Sequence, residues 1–320
     1  MTAHTATRIE LARLPSDLSV ETTVHTYEGD EPGPTLYVQA AQHGREVNGS
    51  EVLRRFHEDL PSNLRGTVIA IPVANPITFD RVSYTTPGSL DSMNSNMNRV
   101  WPGDTDGSLH ERMAARLWEY AGEADAIVDI HTGSPDTLTH VVFTEDHPPS
   151  RELAKAFGTA LLLGEPAGAN ADTEWHERRF DGKLRVAAAT GDIPTITPEL
   201  AHNKQLVESA IERGLQGLFN VLRELDMLAE EPKPNGDSVL ARNHLGRVEA
   251  TDSGLFHYDG RAELGEYVGA NTPLGTLYDP TTYETLQKVE TDRDGILYWI
   301  AREATVVAGD SLAGVALLRE

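Results

Sequence analysis

Short apolar runs alternate with longer stretches of helical periodicity from about residue 35 to residue 225. The runs at 35–41, 67–73, 125–130, 139–144, 160–164 and 193–198 predict strands. Several are continuously apolar, as strands buried on both faces of a parallel sheet are. Between them, 47–59, 108–121, 150–157, 181–190 and 205–228 predict helices; the first lays Val47, Val52, Leu53 and Phe56 on one face. The alternation predicts an α/β fold with a doubly wound, mostly parallel sheet, in which ligands bind beyond the carboxyl ends of the strands. The pattern changes after Glu230-Glu231-Pro232-Lys233-Pro234-Asn235-Gly236-Asp237, which reads as a linker. From 239 to 320 short strands and Gly turns such as Ser253-Gly254 and Asp294-Gly295 predict a small all-β barrel or sandwich. Two domains are therefore expected, 1–235 and 239–320.

Three residues with metal-ligand chemistry fall at predicted strand ends. His43 and Glu46 follow the run Thr35–Ala40, and His131 ends Ala126-Ile127-Val128-Asp129-Ile130-His131. Two imidazoles and one carboxylate make the three-ligand set of a catalytic zinc that keeps a fourth position open. Any single His-x-x-Glu is common by chance, and a buried His131 satisfied by Asp129 or a backbone carbonyl is the structural alternative. The small Gly44, which lets the backbone turn, and the Thr132-Gly133 mouth after His131 favour a site. Arg99, in the loop Asn94-Ser95-Asn96-Met97-Asn98-Arg99-Val100-Trp101, suits a carboxylate, which its planar fork grips through two parallel hydrogen bonds. A solvated loop arginine is the alternative. Glu199 ends the run Ile193–Pro198, where burial would raise its pKa toward proton-shuttling range; a surface glutamate is the competing reading.

Composition narrows the function classes. A net charge of -23 with pI near 4.8 argues against nucleic acid as the main partner. Only Lys155, Lys183, Lys204, Lys233 and Lys288 are lysines, so arginine carries most of the positive charge. An acidic, lysine-poor surface fits a high-salt cytoplasm, where self-repulsion is screened; an arginine-rich, GC-rich genome with an ordinary acidic protein is the alternative. With no cysteine, disulfides and thiolate metal sites are excluded. The N-terminus lacks a signal-peptide apolar region and no stretch approaches a membrane span, so a cytoplasmic protein with no membrane partner is expected.

Taken together, His43-Gly44-Arg45-Glu46, Asn98-Arg99 with Trp101-Pro102-Gly103, Asp129-Ile130-His131-Thr132-Gly133 and Thr197-Pro198-Glu199 resemble the succinylglutamate desuccinylase/aspartoacylase family, within the zinc carboxypeptidase-like group. The resemblance covers roughly 30–225 in motif order and spacing. It implies one zinc per chain on His43, Glu46 and His131, Glu199 as general base and acid, and Asn98 and Arg99 as substrate-holding residues. It also implies that 239–320 is like the family's biotinyl/lipoyl-type C-terminal β-domain, and makes a homodimer a reasonable expectation. The candidate hairpin Thr291-Asp292-Arg293-Asp294-Gly295 has no lysine to modify, so the expected role is walling the active site or supporting a subunit contact.

The chain departs from the family in two places. Leu200-Ala201-His202-Asn203 stands where relatives often have a glycine-rich stretch, and no arginine lies in 85–93, where the aspartoacylase branch has a second one; Arg81 is the nearest. Arg178 and Arg179 offer another anion contact, or a solvated loop.

The expected function is zinc-dependent hydrolysis of the amide bond of a small anionic N-acyl amino acid, with Arg45 polarising the carbonyl or making a structural ion pair. A peptide-trimming metallocarboxypeptidase and a non-catalytic metal- or ligand-binding protein remain alternatives. Acetyl, succinyl and formyl groups are all open, and acetylated diaminobutyrate would suit a halophile. The other histidines, His4, His25, His57, His110, His140, His147, His176, His202, His244 and His257, read as surface or structural, with His202 the exception to watch because it is near Glu199.

Overall fold

The computed structural model describes residues 2–133, 136–233, 236–243 and 247–318; Pro234 and Asn235 of the linker, and His244, lie outside the described residues. Its N-terminal part holds strands β1 (Ala3–Arg13), β2 (Ser19–Glu28), β3 (Glu31–Ala40), β4 (Arg65–Ile71), β5 (Ala126–Gly133), β6 (His140–Thr144), β7 (Leu161–Glu165) and β8 (Thr195–His202). The helices are α1 (Asn48–Asp59), α2 (Pro76–Asp80), α3 (Leu109–Ala121), α4 (Pro148–Phe157), α5 (Thr173–Glu177), α6 (Leu184–Thr190) and α7 (Glu208–Glu224). Strands β9 (Val239–Arg242), β10 (Val248–Glu249), β11 (Gly254–Tyr258), β12 (Tyr267–Val268), β13 (Pro273–Tyr278), β14 (Thr285–Glu290), β15 (Gly295–Ile300), β16 (Thr305–Val306) and β17 (Ser311–Leu318) complete it. Each of the six expected strands and five expected helices has a counterpart.

The main sheet runs β1-β2-β4-β3-β5-β8-β6-β7-β9-β17-β15-β12. Its centre is parallel across β4-β3-β5-β8 and again across β6-β7-β9. The sheet is mixed rather than mostly parallel, because β8 meets β6 antiparallel and the β1-β2 hairpin adds antiparallel to β4. That hairpin escaped the periodicity reading, since β1 is exposed along Ala3–Arg8. In β2 the buried alternation Val20, Thr22 and Val24 includes a threonine, which weakens the apolar signal. No helix occurs among the described residues after α7; β17 carries the main sheet onward from β9, and β14-β13-β11-β16 form a second sheet.

Helices cover both faces of the centre. On one face α1, α4 and α7 bury Val52, Leu53, Phe56, Phe157 and Leu218 against Val38, Val128 and Ile196. Phe56 is fully enclosed, and truncating it to alanine should cost about 3–5 kcal/mol. Val47, expected on this face, only flanks α1 at its start and is half-buried. On the other face α3 and α6 pack Met113, Leu117 and Leu184 against Tyr37 and Ile127. The layering leaves the carboxyl ends of β3, β5 and β8 side by side.

Candidate metal centre and active site

His43 and Glu46 lie in the turn that leaves β3 after Ala41, whose φ of 50° is unusual for a residue with a side chain. Gly44 is needed there because a Cβ would meet the Thr78 backbone at 1.9 Å. Close approach, rather than a special backbone angle, is thus the reason for glycine. His131 comes from β5, which continues through Gly133; Thr132 is buried strand, and both Thr132 and Gly133 line the cavity over the cluster.

All three side chains are buried, and their ligand atoms lie within 4.8 Å of one another. His43 Nδ1 is 3.0 Å from Glu46 Oε1, and His131 Nδ1 is 2.9 Å from Glu46 Oε2. The other nitrogens have acceptors: His43 Nε2 donates to Asn96 Oδ1 at 3.0 Å, and His131 Nε2 to Asp129 Oδ2 at 2.9 Å. With those protons directed outward, each Nδ1 faces a carboxylate oxygen, and a proton or a dication must lie between them. Burial would raise the Glu46 pKa, but His43 and His131 hold it down at about 2. Burial would likewise depress His131, yet Asp129 and Glu46 outweigh it and lift it well above the usual histidine range. Two imidazoles and a carboxylate, oriented from behind, fit a zinc-type ion.

A supporting shell fixes these candidate ligands. Gln39 Nε2 donates to Asp129 Oδ1 at 2.8 Å, Tyr37 donates to Gln39, and Trp101 Nε1 donates to Gln42 Oε1 at 2.5 Å. Asn98 accepts from the Leu184 N–H at 3.1 Å, and its Nδ2 lies 3.5 Å from His131 Nε2. Much of the Asn-rich loop therefore braces the histidines.

A cavity of about 380 Å³ opens over the cluster. Glu199 faces it from β8, directly opposite His131 in the β5–β8 register. Burial lifts its carboxyl to about 7, against the pull of His131. Arg99 also lines the cavity, its Nε donating to the Arg178 carbonyl at 2.8 Å and its Nη1 to the Asn98 carbonyl at 2.6 Å. Arg45 lies 4.9 Å above Tyr84, whose ring is tilted by 31° against that of His43 with centroids 4.0 Å apart. The Arg45 Nε is buried without a hydrogen-bond partner, leaving a donor for a ligand oxygen. Arg81 is exposed and lies outside the cavity lining, as does His202. Arg178 lines it while pairing with Glu174, and Arg179 donates to Asn94.

Sequence reasoning missed the far wall. Glu165, at the end of β7, is buried and pairs with Arg185. It also accepts from Lys183 at 3.3 Å, Trp175 at 3.2 Å and Asn243 at 2.6 Å. His140, read as surface or structural, lines the cavity edge-on to Tyr298 at 5.3 Å, and burial lowers its pKa to about 4. Arg247, Tyr298, Trp299 and Ser311 bring the C-terminal segment into the wall. Only the apolar strand before Glu165 hinted at any of these; the rest had no local pattern.

Comparison with known proteins adds independent findings. The model of the succinylglutamate desuccinylase/aspartoacylase catalytic domain matches residues 32–225. The N-alpha-acetyl-L-2,4-diaminobutyric acid deacetylase of Halomonas elongata is 28% identical over 302 residues, covering 89% of this chain and 82% of its own length. A succinylglutamate desuccinylase from a Silicibacter species superposes with a TM-score of 0.83 at 20% identity, covering 99% and 95% of the two chains. The product-bound ectoine utilization protein EutE (DoeB) of Ruegeria pomeroyi gives 0.84 at 21% identity, again covering 99% and 95%. These structural likenesses bear on the fold. No helix among the described residues is long and apolar enough to cross a membrane.

Proposed function

The chain belongs to the succinylglutamate desuccinylase/aspartoacylase family, and on that premise we propose that it is a zinc-dependent amidohydrolase that deacylates a small anionic N-acyl amino acid. The observation that carries this reading is the convergence of His43 and His131 on the Glu46 carboxylate beside Glu199. On this reading the sheet is of the zinc carboxypeptidase type, 1–235 is the deacylase domain, and 239–320 is a β-domain that narrows the mouth.

His43, Glu46 and His131 would hold the zinc, which when bound supplies Lewis acidity toward the acyl carbonyl and lowers the pKa of water from near 16 toward about 7. Glu199 takes a proton from the attacking water and returns it to the leaving amine nitrogen; a carboxyl lifted toward neutrality is suited to both transfers. Arg99, held by two backbone carbonyls, grips the amino-acid carboxylate and so orients the amide. Asn98 fixes the Arg99 loop to the start of α6 through the Leu184 N–H. The Arg45 Nε, buried and unpartnered, donates toward the carbonyl oxygen. The deacetylase activity of the Halomonas relative supports an acyl amino acid as substrate class.

The test is amine release by zinc-loaded protein in molar salt from a panel of N-acyl amino acids and short peptides. Cleavage of acyl amino acids alone supports the proposal. Carboxyl-terminal trimming of peptides, or no turnover with zinc bound, overturns it.

A further inference from the structure

The mixed sheet has two carboxyl edges, and they face opposite ways. Strands β3, β5 and β8 run parallel and bring the metal cluster and Glu199 to one edge. Strands β6, β7 and β9 are also parallel to one another, but β6 runs antiparallel to β8, with His140 opposite Glu199. The ends of β6, β7 and β9 therefore lie on the far edge. Crevices beyond the carboxyl ends of parallel strands are where α/β sheets bind ligands, and this second edge has a cavity of about 320 Å³. Its described lining residues are Glu145, Asp146, Arg151, Pro166, Asn170 and Arg242, none of which lines the cavity over the cluster. The end of β7 separates the two: Glu165 faces the first cavity and Pro166 the second.

The second cavity carries both signs of charge. Arg151, the fourth residue of α4, and Arg242, at the end of β9, each hold an Nε buried without a hydrogen-bond partner. Buried donors left without an acceptor are costly, and a ligand oxygen would remove that cost. Arg242 Nη2 pairs with Asp172 at 3.0 Å, which fixes the guanidinium and leaves its Nε for another acceptor. Asp146 Oδ2 accepts from Asn170 Nδ2 at 3.0 Å, and a carboxylate has room for further donors. Two guanidiniums set against the carboxylates of Glu145 and Asp146 leave no excess charge to attract a simple anion, whereas a ligand carrying both signs satisfies both halves. We propose that this cavity is a second binding site, for a free α-amino acid: its carboxylate takes the Arg151 and Arg242 donors, and its ammonium lies against Asp146 and Glu145. Acylation of the nitrogen removes the positive charge and leaves one N–H of three, so N-acyl amino acids are excluded. Binding itself does not depend on the deacylase reading; on that reading, the site takes the product class and refuses the substrate class.

The experiment is calorimetric titration of zinc-loaded full-length protein with glycine, alanine, N-acetylalanine, propionate and alaninamide at millimolar concentrations. The first two carry both charges, and each of the others lacks one. Wild type should bind glycine and alanine at least about tenfold more tightly than the other three, the scale of a hydrogen bond to a charged group. Arg151→Gln should weaken alanine binding by about ten- to a hundredfold, and Arg151→Lys should restore part of it. Asp146→Asn should weaken alanine binding while leaving that of propionate unchanged, because only the ammonium half is touched. Zinc content and thermal unfolding, compared across the variants, establish that each is folded with its metal centre intact. Absence of glycine and alanine binding in wild type overturns the proposal. Propionate binding as tight as that of alanine also overturns it, since the cavity would then be an anion site. Alanine affinity unchanged in both Arg151→Gln and Asp146→Asn overturns it too, by placing the bound amino acid elsewhere. These heats are read without turnover, so a protein that hydrolyses no acyl amino acid would lose the deacylase reading and leave this one decided by binding alone.

Discussion

Two histidine clusters occur among the described residues, and one of these is built like a metal centre. His43 and His131 converge on Glu46 in the interior, each with its outer nitrogen donated to Asn96 or Asp129. On the N-terminal hairpin and the end of α1, His4, His25 and His57 gather around Tyr27. There His4 Nε2 meets His25 Nδ1 at 3.1 Å, and Tyr27 shares a 3.0 Å hydrogen bond with His57 Nδ1. Among the described residues no carboxylate joins these rings in a group able to hold a metal. Burial and then mutual repulsion lower the pKa of His4 and His25, whereas the carboxylates beside His131 raise its own. Proximity of imidazoles is therefore not what makes ligands. A carboxylate between them, and acceptors that fix their outer faces, turn two lone pairs toward one point.

The contrast breaks most sharply at His131. His131→Ala should abolish zinc content and reduce turnover to background, read by metal analysis and amine release. Glu199→Gln separates metal from proton transfer: zinc is retained and kcat falls by about 10²–10⁴-fold. Wild-type turnover in that variant would remove Glu199 as the shuttle. Asp129→Asn tests orientation from behind, and zinc affinity should weaken by about 10–100-fold in competition with a chelating dye.

On the proposed mechanism the acid limb of kcat should follow Glu199, since a carboxyl can act as a base only when ionised. Turnover rises with pH, and since a bound dication draws the carboxyl down, the midpoint lies at or below about 7. A limb unchanged in the residual activity of Glu199→Gln would assign it to another group.

The smallest effect belongs to the surface cluster. Histidines with depressed folded pKa values bind fewer protons folded than unfolded, so stability holds above the unfolded value of about 6.5 and declines as pH falls through the lower folded values. Denaturant melts should show that decline flattened in a His4→Gln/His25→Gln variant. At pH 8 the same variant should stay within about 0.5 kcal/mol of wild type, with kcat unchanged.

Much of the fold was legible because its centre is built from local signals. Strands buried on both faces read as apolar runs, and α1 shows Val52, Leu53 and Phe56 at helical spacing. The His43, Glu46 and His131 set was visible for the same reason: each follows or ends such a run, and parallel strands place their carboxyl ends together. What local pattern could not supply is pairing across the sheet. The exposed half of β1, the antiparallel meeting of β6 and β8, and the C-terminal residues in the cavity wall depend on partners far along the chain.

Sequence by itself determined the candidate ligand types, the strand ends that carry them and the acidic composition, since these depend only on residue identity and periodicity. Tertiary structure alone decided which nitrogen of each histidine faces Glu46 and how far Glu199 is lifted toward neutrality. It also decided that Lys183 and Arg185 share one carboxylate. The reason is physical: charge and hydrogen-bond energies depend on distance and solvent exclusion, and both exist only after the strands have packed.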